Sequence, residues 1–322
     1  MPNRVLVTGA TGFVGNTLCE VLHSAGYIVR AATRGGRSVS ISAHEKAIVG
    51  NFGATTDWKD ALRDVDVVVH LAARAHILGD VAANAALYRE TNADGTRRLA
   101  EASAHAGVRR FIYVSSVKVN GEGDNAKAYT ASDPPCPRDP YGESKWVAEQ
   151  YLSEVAERAG MQAAIVRPPL VYGPGVRANF LRLMSWVDRQ WPIPLGAVDN
   201  RRSLVSVWNL CDLLLQLLEN PAAAGRTWMV SDGDDLSTPQ LIRQIGIAMG
   251  RHVRLWPIPI AVLRWGGVLT RRESEIARLC GSLTVDMSST CRELRWSPPM
   301  NIQQGLARTV QWYLETEARR VA

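Results

Sequence analysis

The sequence has few residues of the kinds that build metal centres or disulfides. Its five cysteines are scattered, and no two of them have the close spacing that metal and redox motifs use. The six histidines show no spacing that would gather ligands on one face of a helix. We therefore expect no metal site, and the scattered thiols indicate a reducing, cytoplasmic compartment.

Long apolar runs are also missing. The longest, Leu255 to Thr270, is interrupted by Pro257, Pro259 and Arg264 and is shorter than the roughly 20 residues that a membrane-spanning helix needs. We interpret this run as a helix packed inside a small C-terminal domain and expect no membrane insertion. An apolar run begins already at Val5, which leaves no room for a secretory leader and agrees with a cytoplasmic protein.

Charge of one sign is in only modest excess. The formal net charge is +6, and the arginines occur in separate pairs rather than in one basic block. A nucleic-acid surface usually has a concentrated basic stripe with interleaved aromatic residues, so nucleic-acid binding is not expected. The excess suits an anionic small molecule instead.

Short β-branched runs alternate with longer helical patterns through the first half of the chain. The predicted strands are Val5–Thr8, Tyr27–Ala32, Ala47–Gly50, Val65–Leu71, Arg110–Ser115 and Ala164–Arg167, and the predicted helices include Gly12–Ala25, Asn92–Ala106 and Tyr141–Ala159. Such alternation predicts βαβ units and an α/β fold with a doubly wound parallel sheet. Beyond residue 175, prolines punctuate shorter elements, which predicts a smaller, interleaved C-terminal α/β domain.

A glycine-rich segment follows the first predicted strand directly and opens a helix. Gly9 permits a tight turn, Gly12 lets the backbone approach a pyrophosphate, and Gly15 allows close packing of the helix on the sheet. The helix N-terminus adds unpaired N–H groups that attract an anion. The segment predicts a dinucleotide cradle formed by Gly9, Thr11, Gly12, Phe13, Val14 and Gly15.

The end of the second strand indicates which dinucleotide binds. A carboxylate about 20 residues past the glycines would hold a ribose 2′-hydroxyl, but this place reads Ala32-Thr33-Arg34. Arg34, together with Arg37, suits a 2′-phosphate. We therefore predict Thr33 and Arg34 as cofactor-binding residues and favour NADP(H), with NAD(H) left open. Residues 1–173 form the predicted Rossmann domain, to which segments at about 200–232 return, and residues 174–322 form mainly the substrate-binding domain.

Tyr141 and Lys145 lie four residues apart at the start of a predicted helix, so their side chains share one face. A free phenol has a pKa of about 10 and is a poor base at neutral pH, whereas an adjacent ammonium lowers that pKa. Ser116 follows a predicted strand, and a hydroxyl at the carboxyl end of a parallel strand faces the ligand crevice. We predict that Ser116, Tyr141 and Lys145 are catalytic, with Ser115 a less favoured alternative to Ser116.

The Gly-x-x-Gly-x-x-Gly turn, the Tyr-x-x-x-Lys pair and a serine 25 residues before the tyrosine together resemble the extended short-chain dehydrogenase/reductase family, including its UDP-glucose 4-epimerases and nucleotide-sugar 4-ketoreductases. The resemblance implies a homodimer and a lysine that also binds the nicotinamide ribose. It also implies cofactor contacts for Asn51 and Phe52 at the adenine, for the loop of Leu71, Ala72 and Ala73, and for Asn92, Lys145 and Pro168.

The same resemblance implies a nucleotide-sugar substrate, most commonly carried by uridine diphosphate. Asn179 and Phe180 match a pair that meets the nucleotide, and Arg202 matches a diphosphate-binding arginine, with Arg278 a second candidate. Ser115 and Lys118 complete the predicted substrate-binding residues. Leu170 stands where many 4-epimerases have asparagine, so contacts to the sugar differ here.

Three functions remain open. A 4-ketoreductase would use NADPH to reduce a 4-keto sugar, and the missing carboxylate after the second strand favours it slightly. A 4-epimerase of UDP-hexoses or UDP-N-acetylhexosamines would keep NAD tightly bound, as the general similarity to UDP-glucose 4-epimerases suggests. A non-catalytic NADP-sensing protein is less favoured, because such relatives lose the tyrosine or the lysine. A dehydratase is disfavoured, because Val117 and Lys118 replace the acidic pair that removes a hydroxyl.

Overall fold

Seven parallel strands form the main sheet, in the order β3-β2-β1-β4-β5-β6-β9. The computed structural model describes residues 4–35, 41–75, 81–123, 127–269 and 273–321. The strands of the main sheet are β1 (Arg4–Thr8), β2 (Ile28–Thr33), β3 (Glu45–Ile48), β4 (Val67–His70), β5 (Arg110–Val114), β6 (Gln162–Arg167) and β9 (Arg226–Met229). The strand order reverses between β1 and β4, which makes their carboxyl ends the switch point where such sheets bind ligands. The predicted doubly wound sheet is confirmed.

Helices cover both faces of this sheet. The helices of the described residues, on this sheet and beyond it, are α1 (Phe13–Ser24), α2 (Val81–Tyr88), α3 (Gly95–His105), α4 (Pro140–Ala159), α5 (Ala178–Asp188), α6 (Val207–Glu219), α7 (Thr238–Met249), α8 (Ile260–Leu269), α9 (Glu273–Cys280), α10 (Ser288–Leu294) and α11 (Ile302–Val321). Leu18 of α1 and Leu214 of α6 belong to the core on one face, and Leu99 of α3 and Leu152 of α4 to the core on the other. All four side chains are fully buried.

A smaller sheet carries the C-terminal part of the fold. It contains β7 (Leu170–Tyr172), β8 (Arg202–Ser206) and β10 (Asp235–Leu236), in the order β10-β8-β7. Helices α5, α7 and α11 surround a separate apolar cluster beside it, which includes Tyr172 and Ile242. The chain returns from β8 through α6 to β9, which pairs in parallel with β6 at the edge of the main sheet.

The helix predicted in the apolar run from Leu255 is present as α8, but it is not packed as expected. Its residues Val262, Trp265, Val268 and Leu269 are exposed, and only Gly267 is fully enclosed. The prediction of a packed helix was therefore wrong for its outer face. An apolar composition indicates that side chains avoid water, but it does not show whether other residues of the same chain bury them.

Candidate functional site

The glycine turn brings β1, α1 and the loop after β4 into close contact. Gly9 has φ +69°, and a Cβ there would lie 2.8 Å from the Ala72 nitrogen. A Cβ on Gly15 would lie 2.1 Å from the Gly9 carbonyl oxygen. Gly12 is the N-cap residue of α1 and has no side chain to cap the helix, and the first turn carries no acidic residue. The first-turn N–H groups are therefore suited to an anionic group of a ligand, as a dinucleotide phosphate would provide.

Gly15→Ala should destabilise the fold and weaken dinucleotide binding together. The added methyl would meet the backbone of Gly9, which has no flexible side chain that could move aside. We expect a loss of about 1 to 3 kcal/mol in the free energy of unfolding, measured by urea denaturation. Gly266→Ala on α8 is the control, because nothing lies within 4 Å of a Cβ at that position. Equal stability of the two variants would contradict the packing argument.

The carboxyl end of β2 provides an arginine and no carboxylate. Thr33 is half-buried, and the exposed Arg34 side chain makes no hydrogen bond or ion pair with any residue that the structure describes. Arg37 lies outside the described residues. The guanidinium of Arg34 is thus available to a 2′-phosphate.

The loops after β3 and β4 form the other side of the predicted cofactor groove. Asn51 is exposed, but the ring of Phe52 points inward and packs against His70 and Trp58, with ring centroids 5.1 and 5.7 Å away. The half-buried Phe52 ring therefore packs against the core, and the adenine contact of Asn51 and Phe52 stays a prediction.

Asn92 joins the loop after β4 to helix α4. It lies in a π-helical segment, Arg89–Asp94, which replaces the predicted α-helical start. Its amide nitrogen donates to the Arg74 carbonyl oxygen and the Ser144 hydroxyl, each at 3.0 Å, and its oxygen accepts the Arg74 N–H at 2.7 Å. Through Asn92, the π-helical segment thus fixes the chain just beyond Leu71, Ala72 and Ala73 relative to α4. Short π-helical segments occur often at functional sites.

His70 is a buried residue that the sequence reasoning did not select. Its two ring nitrogens lie 2.6 Å from the Thr8 hydroxyl and 3.0 Å from the Thr96 hydroxyl. The Thr8 oxygen also accepts the Ala72 N–H at 3.2 Å. Burial, and secondly the charge of Lys145, keep the pKa of His70 well below its ordinary value. A neutral imidazole therefore holds the glycine turn and the loop after β4 together.

The two serines after β5 have different surroundings. Ser116 is half-buried, accepts the Lys118 N–H at 3.2 Å and lies beside the Tyr141 phenol, whose pKa it lowers. Ser115 is buried, and its hydroxyl has no hydrogen-bond partner among the described residues. The structure therefore brings Ser116, rather than Ser115, to the tyrosine.

Tyr141 lies in the first turn of α4. Asp139 caps this helix by accepting the Gly142 N–H at 2.7 Å, and the Tyr141 ring meets the Tyr88 ring edge-to-face at 5.8 Å. Burial, followed by the Asp139 carboxylate and Tyr88, raises the pKa of Tyr141, and the neighbouring Ser116 hydroxyl offsets this only in part. Without ligands the phenol is therefore held protonated.

Lys145 is buried one turn further along α4. Its Nζ donates to the Val114 carbonyl oxygen at 2.9 Å and lies 4.7 Å from the centre of the Tyr113 ring, but 6.0 Å from that of Tyr141. Burial lowers the pKa of Lys145 to about 7. The expectation that Lys145 lowers the pKa of Tyr141 is thus not met in this arrangement, because the ammonium is directed to a backbone carbonyl.

Lys118 is engaged by acidic neighbours. Its ammonium pairs with Glu122 at 2.7 Å and also with Asp139. Burial opposes ionisation of Asp139, but hydrogen bonds from Lys118 and from the Gly142 N–H lower the pKa of that carboxyl. Lys118 therefore joins the loop after β5, residues 115–120 (the serine loop), to the start of α4. The substrate contact predicted for Lys118 would require these ion pairs to open.

A buried ion pair holds α4 against β6. The guanidinium of Arg167 contacts both oxygens of Glu149, at 3.0 and 2.6 Å, and donates to Asn120 at 3.1 Å. The next residue, Pro168, is buried, and its carbonyl oxygen accepts the Val117 N–H at 3.0 Å. Both contacts reach the segment after Ser116, so the serine loop is fixed from the side of β6 as well.

The predicted substrate residues fall into two groups. The half-buried guanidinium of Arg202 donates to the backbone carbonyls of Arg278 and Gly281, the latter at 3.1 Å, and the Arg278 side chain is exposed. Asn179 is half-buried in the first turn of α5, but the Phe180 ring is buried and stacks on Tyr172 at 5.6 Å. The Phe180 ring is therefore not available to a nucleotide. Arg202 and Arg278 lie next to each other, because the Arg202 guanidinium reaches the Arg278 carbonyl.

Neither a membrane span nor a metal cluster is found in the part of the chain that the structure describes. No helix there is long and apolar enough to cross a bilayer. No three His, Cys, Asp or Glu side chains among the same residues are grouped so that they could hold a metal ion.

Known proteins match this chain over nearly its full length. Residues 5–231 match the model of the NAD dependent epimerase/dehydratase family. A UDP-glucose 4-epimerase of Vibrio cholerae is 41% identical, with 99% of this chain and 98% of that protein aligned. MoeE5 in complex with UDP-glucuronic acid and NAD has a TM-score of 0.77 at 25% identity, covering 99% of this chain and 100% of the other. A UDP-glucuronic acid 4-epimerase from Bacillus cereus shares the fold, with a TM-score of 0.79 at 22% identity over 97% and 99% of the two chains.

Proposed function

Since the chain belongs to the NAD dependent epimerase/dehydratase family, we propose that it transfers a hydride at carbon 4 of a nucleotide-linked sugar, with uridine diphosphate as the carrier. It is an enzyme of the NAD-dependent epimerase/dehydratase type, and its cofactor is a nicotinamide dinucleotide. The observation that carries the proposal is the placement of Ser116, at the carboxyl end of β5, beside Tyr141 in the first turn of α4, with Lys145 one turn further along α4 donating to the Val114 carbonyl at the end of the same strand.

The residues divide the chemistry between them. The glycine turn, Arg34 and the loop held by Asn92 would bind the dinucleotide. When bound, the dinucleotide would accept or return a hydride. The Ser116 hydroxyl would hydrogen-bond the oxygen on carbon 4. The Tyr141 Oη would exchange a proton with that oxygen, which prevents a charge from building up on it. Ser116 thus positions the oxygen for the proton that Tyr141 donates or takes.

A protonated Tyr141 can give its proton to a ketone oxygen, and its raised pKa keeps that proton in place at neutral pH. An epimerase protonates a 4-keto oxygen in its return step too, so the cofactor distinguishes the two activities. The exposed Arg34 in place of a carboxylate supports a 4-ketoreductase that consumes NADPH. We place this activity first.

Replacing Arg34 by aspartate tests the preference for NADP(H). The substitution removes the cation proposed for the 2′-phosphate and supplies a carboxylate that would repel it and accept a ribose hydroxyl. We expect the Kd for NADPH to rise about tenfold or more and that for NADH to fall, measured by titration of protein fluorescence. Arg63→Asp, at an exposed arginine paired with Asp60, is the control for charge. Unchanged preference in Arg34→Asp would remove the argument for NADPH.

A UDP-hexose 4-epimerase is the second candidate. The observation that favours it is the 41% identity to a relative of that name over nearly the whole of both chains. An epimerase would keep NAD bound through purification and return the hydride to the opposite face of the sugar. The homodimer predicted from the family resemblance stays a prediction for either activity, and light scattering tests it.

Mass spectrometry of what co-purifies with the protein, combined with a turnover assay, tests the proposal. A reductase should purify without stoichiometric NAD and consume NADPH only when a nucleotide-linked 4-keto sugar is added. An epimerase should carry NAD and interconvert UDP-hexoses with no added cofactor. Absence of both activities across UDP-linked and dTDP-linked hexoses and their 4-keto forms would contradict hydride transfer at carbon 4.

A further inference from the structure

The outward face of α8 is apolar and exposed. Val262 is 54% exposed, Trp265 71%, Val268 59% and Leu269 64%. Their spacing of three and four residues places them on one side of a helix with 3.6 residues per turn. The opposite side carries Leu263, which packs against the C-terminal core. The helix is therefore apolar on two faces, and the residues that the structure describes cover only one of them.

Trp256, on the segment just before α8, is a second exposed tryptophan. Its side chain is 55% exposed, whereas its backbone is fixed by hydrogen bonds with the Ile193 carbonyl and the Gly196 N–H, each 2.9 Å long. A helix that is apolar all round is ordinarily buried. Two exposed tryptophans and three aliphatic side chains on a defined backbone thus indicate a surface that meets a partner.

The segment that carries these residues contains arginines and no acidic side chain. Between Asp235 and Glu273 the sequence contains no aspartate or glutamate. Arg254 and Arg264 are exposed in this stretch, and Arg264 lies on α8 beside the apolar face. A second copy of the chain would bring like charges together at this surface, so an anionic partner is favoured.

We propose that α8 and the Trp256 segment dock the protein on an anionic phospholipid surface. Tryptophan is enriched at the boundary between headgroups and acyl chains, where its ring is apolar and its N–H meets water. Arginines beside such an apolar strip attract anionic headgroups. The contact lies in the plane of the interface, with α8 parallel to the membrane and Val268 and Leu269 directed into it.

Docking would hold the candidate substrate groups near the membrane. Helix α8 packs against α9, which carries Arg278, and Arg202 donates to the Arg278 carbonyl. The lipid-facing surface and this arginine pair are therefore neighbours in the same part of the fold. The proposal itself does not depend on the reaction, because it rests on exposure and charge alone.

Sedimentation with vesicles tests the docking. The full chain should co-sediment with vesicles of equal parts phosphatidylcholine and phosphatidylglycerol about tenfold more than with phosphatidylcholine alone, and salt should reduce the bound fraction. The double variant Trp265→Ser/Val268→Ser should lose most of this binding, and Arg264→Glu should lower it about tenfold. The substituted side chains are all exposed, so the midpoint temperature of thermal unfolding should be nearly that of the unaltered chain.

Matched controls separate the surface from general properties of the chain. Ile48→Ser removes an aliphatic side chain that is 76% exposed on β3, and Arg158→Glu makes the same charge change on α4. Neither control should alter vesicle binding. The proposal is overturned by equal sedimentation with both vesicle types, by binding that the α8 variants leave intact, or by a dimer in light scattering that Trp265→Ser dissociates.

Discussion

Tyr141→Phe should lower kcat by about a thousandfold while the Kd for the dinucleotide changes little. The substitution removes only the Oη that would exchange a proton with the sugar oxygen, and it retains the ring that packs edge-to-face on Tyr88. A loss of this size is expected when a group acts in proton transfer during the transition state. Steady-state kinetics with the nucleotide sugar that the turnover assay identifies would measure it.

Tyr151→Phe is the matched control for this experiment. Tyr151 lies on the same helix, and its hydroxyl accepts only a 3.4 Å hydrogen bond from Arg89 at the surface. Removing that hydroxyl should leave kcat within about twofold of the unaltered enzyme. If Tyr141→Phe also kept its full kcat, the proposed proton transfer would be excluded.

Lys145→Met should abolish most activity and yet make the ligand-free protein more stable at neutral and acidic pH. Burial lowers the pKa of Lys145 to about 7, from an ordinary value of 10.5. Between these two values the unfolded chain binds more protons than the folded chain, so the stability contribution of this group rises with pH. At or below pH 7 the cost of burying the charged ammonium is fully present, and methionine removes it.

The size of this effect follows from the shift in pKa. We expect a gain of about 2 to 4 kcal/mol in the free energy of unfolding at about pH 6, falling to about half at pH 9. Lys59→Met, at an exposed lysine, should change stability little at either pH. Urea denaturation of the three proteins at both pH values provides the measurement. A Lys145→Met variant that is less stable at pH 6 would show that the ammonium is better satisfied than its burial indicates.

The parts of the fold that local sequence determines were predicted well. The helix predicted from Gly12 to Ala25 is observed as Phe13–Ser24, because the glycine turn and the apolar repeat that define it are contiguous. The helix carrying Tyr141 and Lys145 likewise begins at Pro140, one residue before its predicted start, with Asp139 as its cap. Both depend on neighbours within a few residues, which a sequence displays directly.

Features set by distant contacts were not predictable in this way. The π-helical segment at Arg89–Asp94 depends on hydrogen bonds from Asn92 to Arg74 and Ser144, 18 and 52 residues away. Strand β9 has only four residues, and its position follows from pairing with β6. The orientation of the Lys145 ammonium toward the Val114 carbonyl is similarly a matter of tertiary packing. Spacing predicted which residues would meet, but not which atoms would face each other.

The most direct test of the central claim follows a label to carbon 4. The protein would be given a nucleotide-linked 4-keto sugar together with nicotinamide dinucleotide deuterated at its transferable position, and the product would be examined by NMR. Deuterium at carbon 4 of the hexose, absent when Tyr141→Phe replaces the unaltered protein, is the result expected. A label that appears at another carbon, or a carbon-4 hydrogen derived from solvent, would contradict hydride transfer at this position.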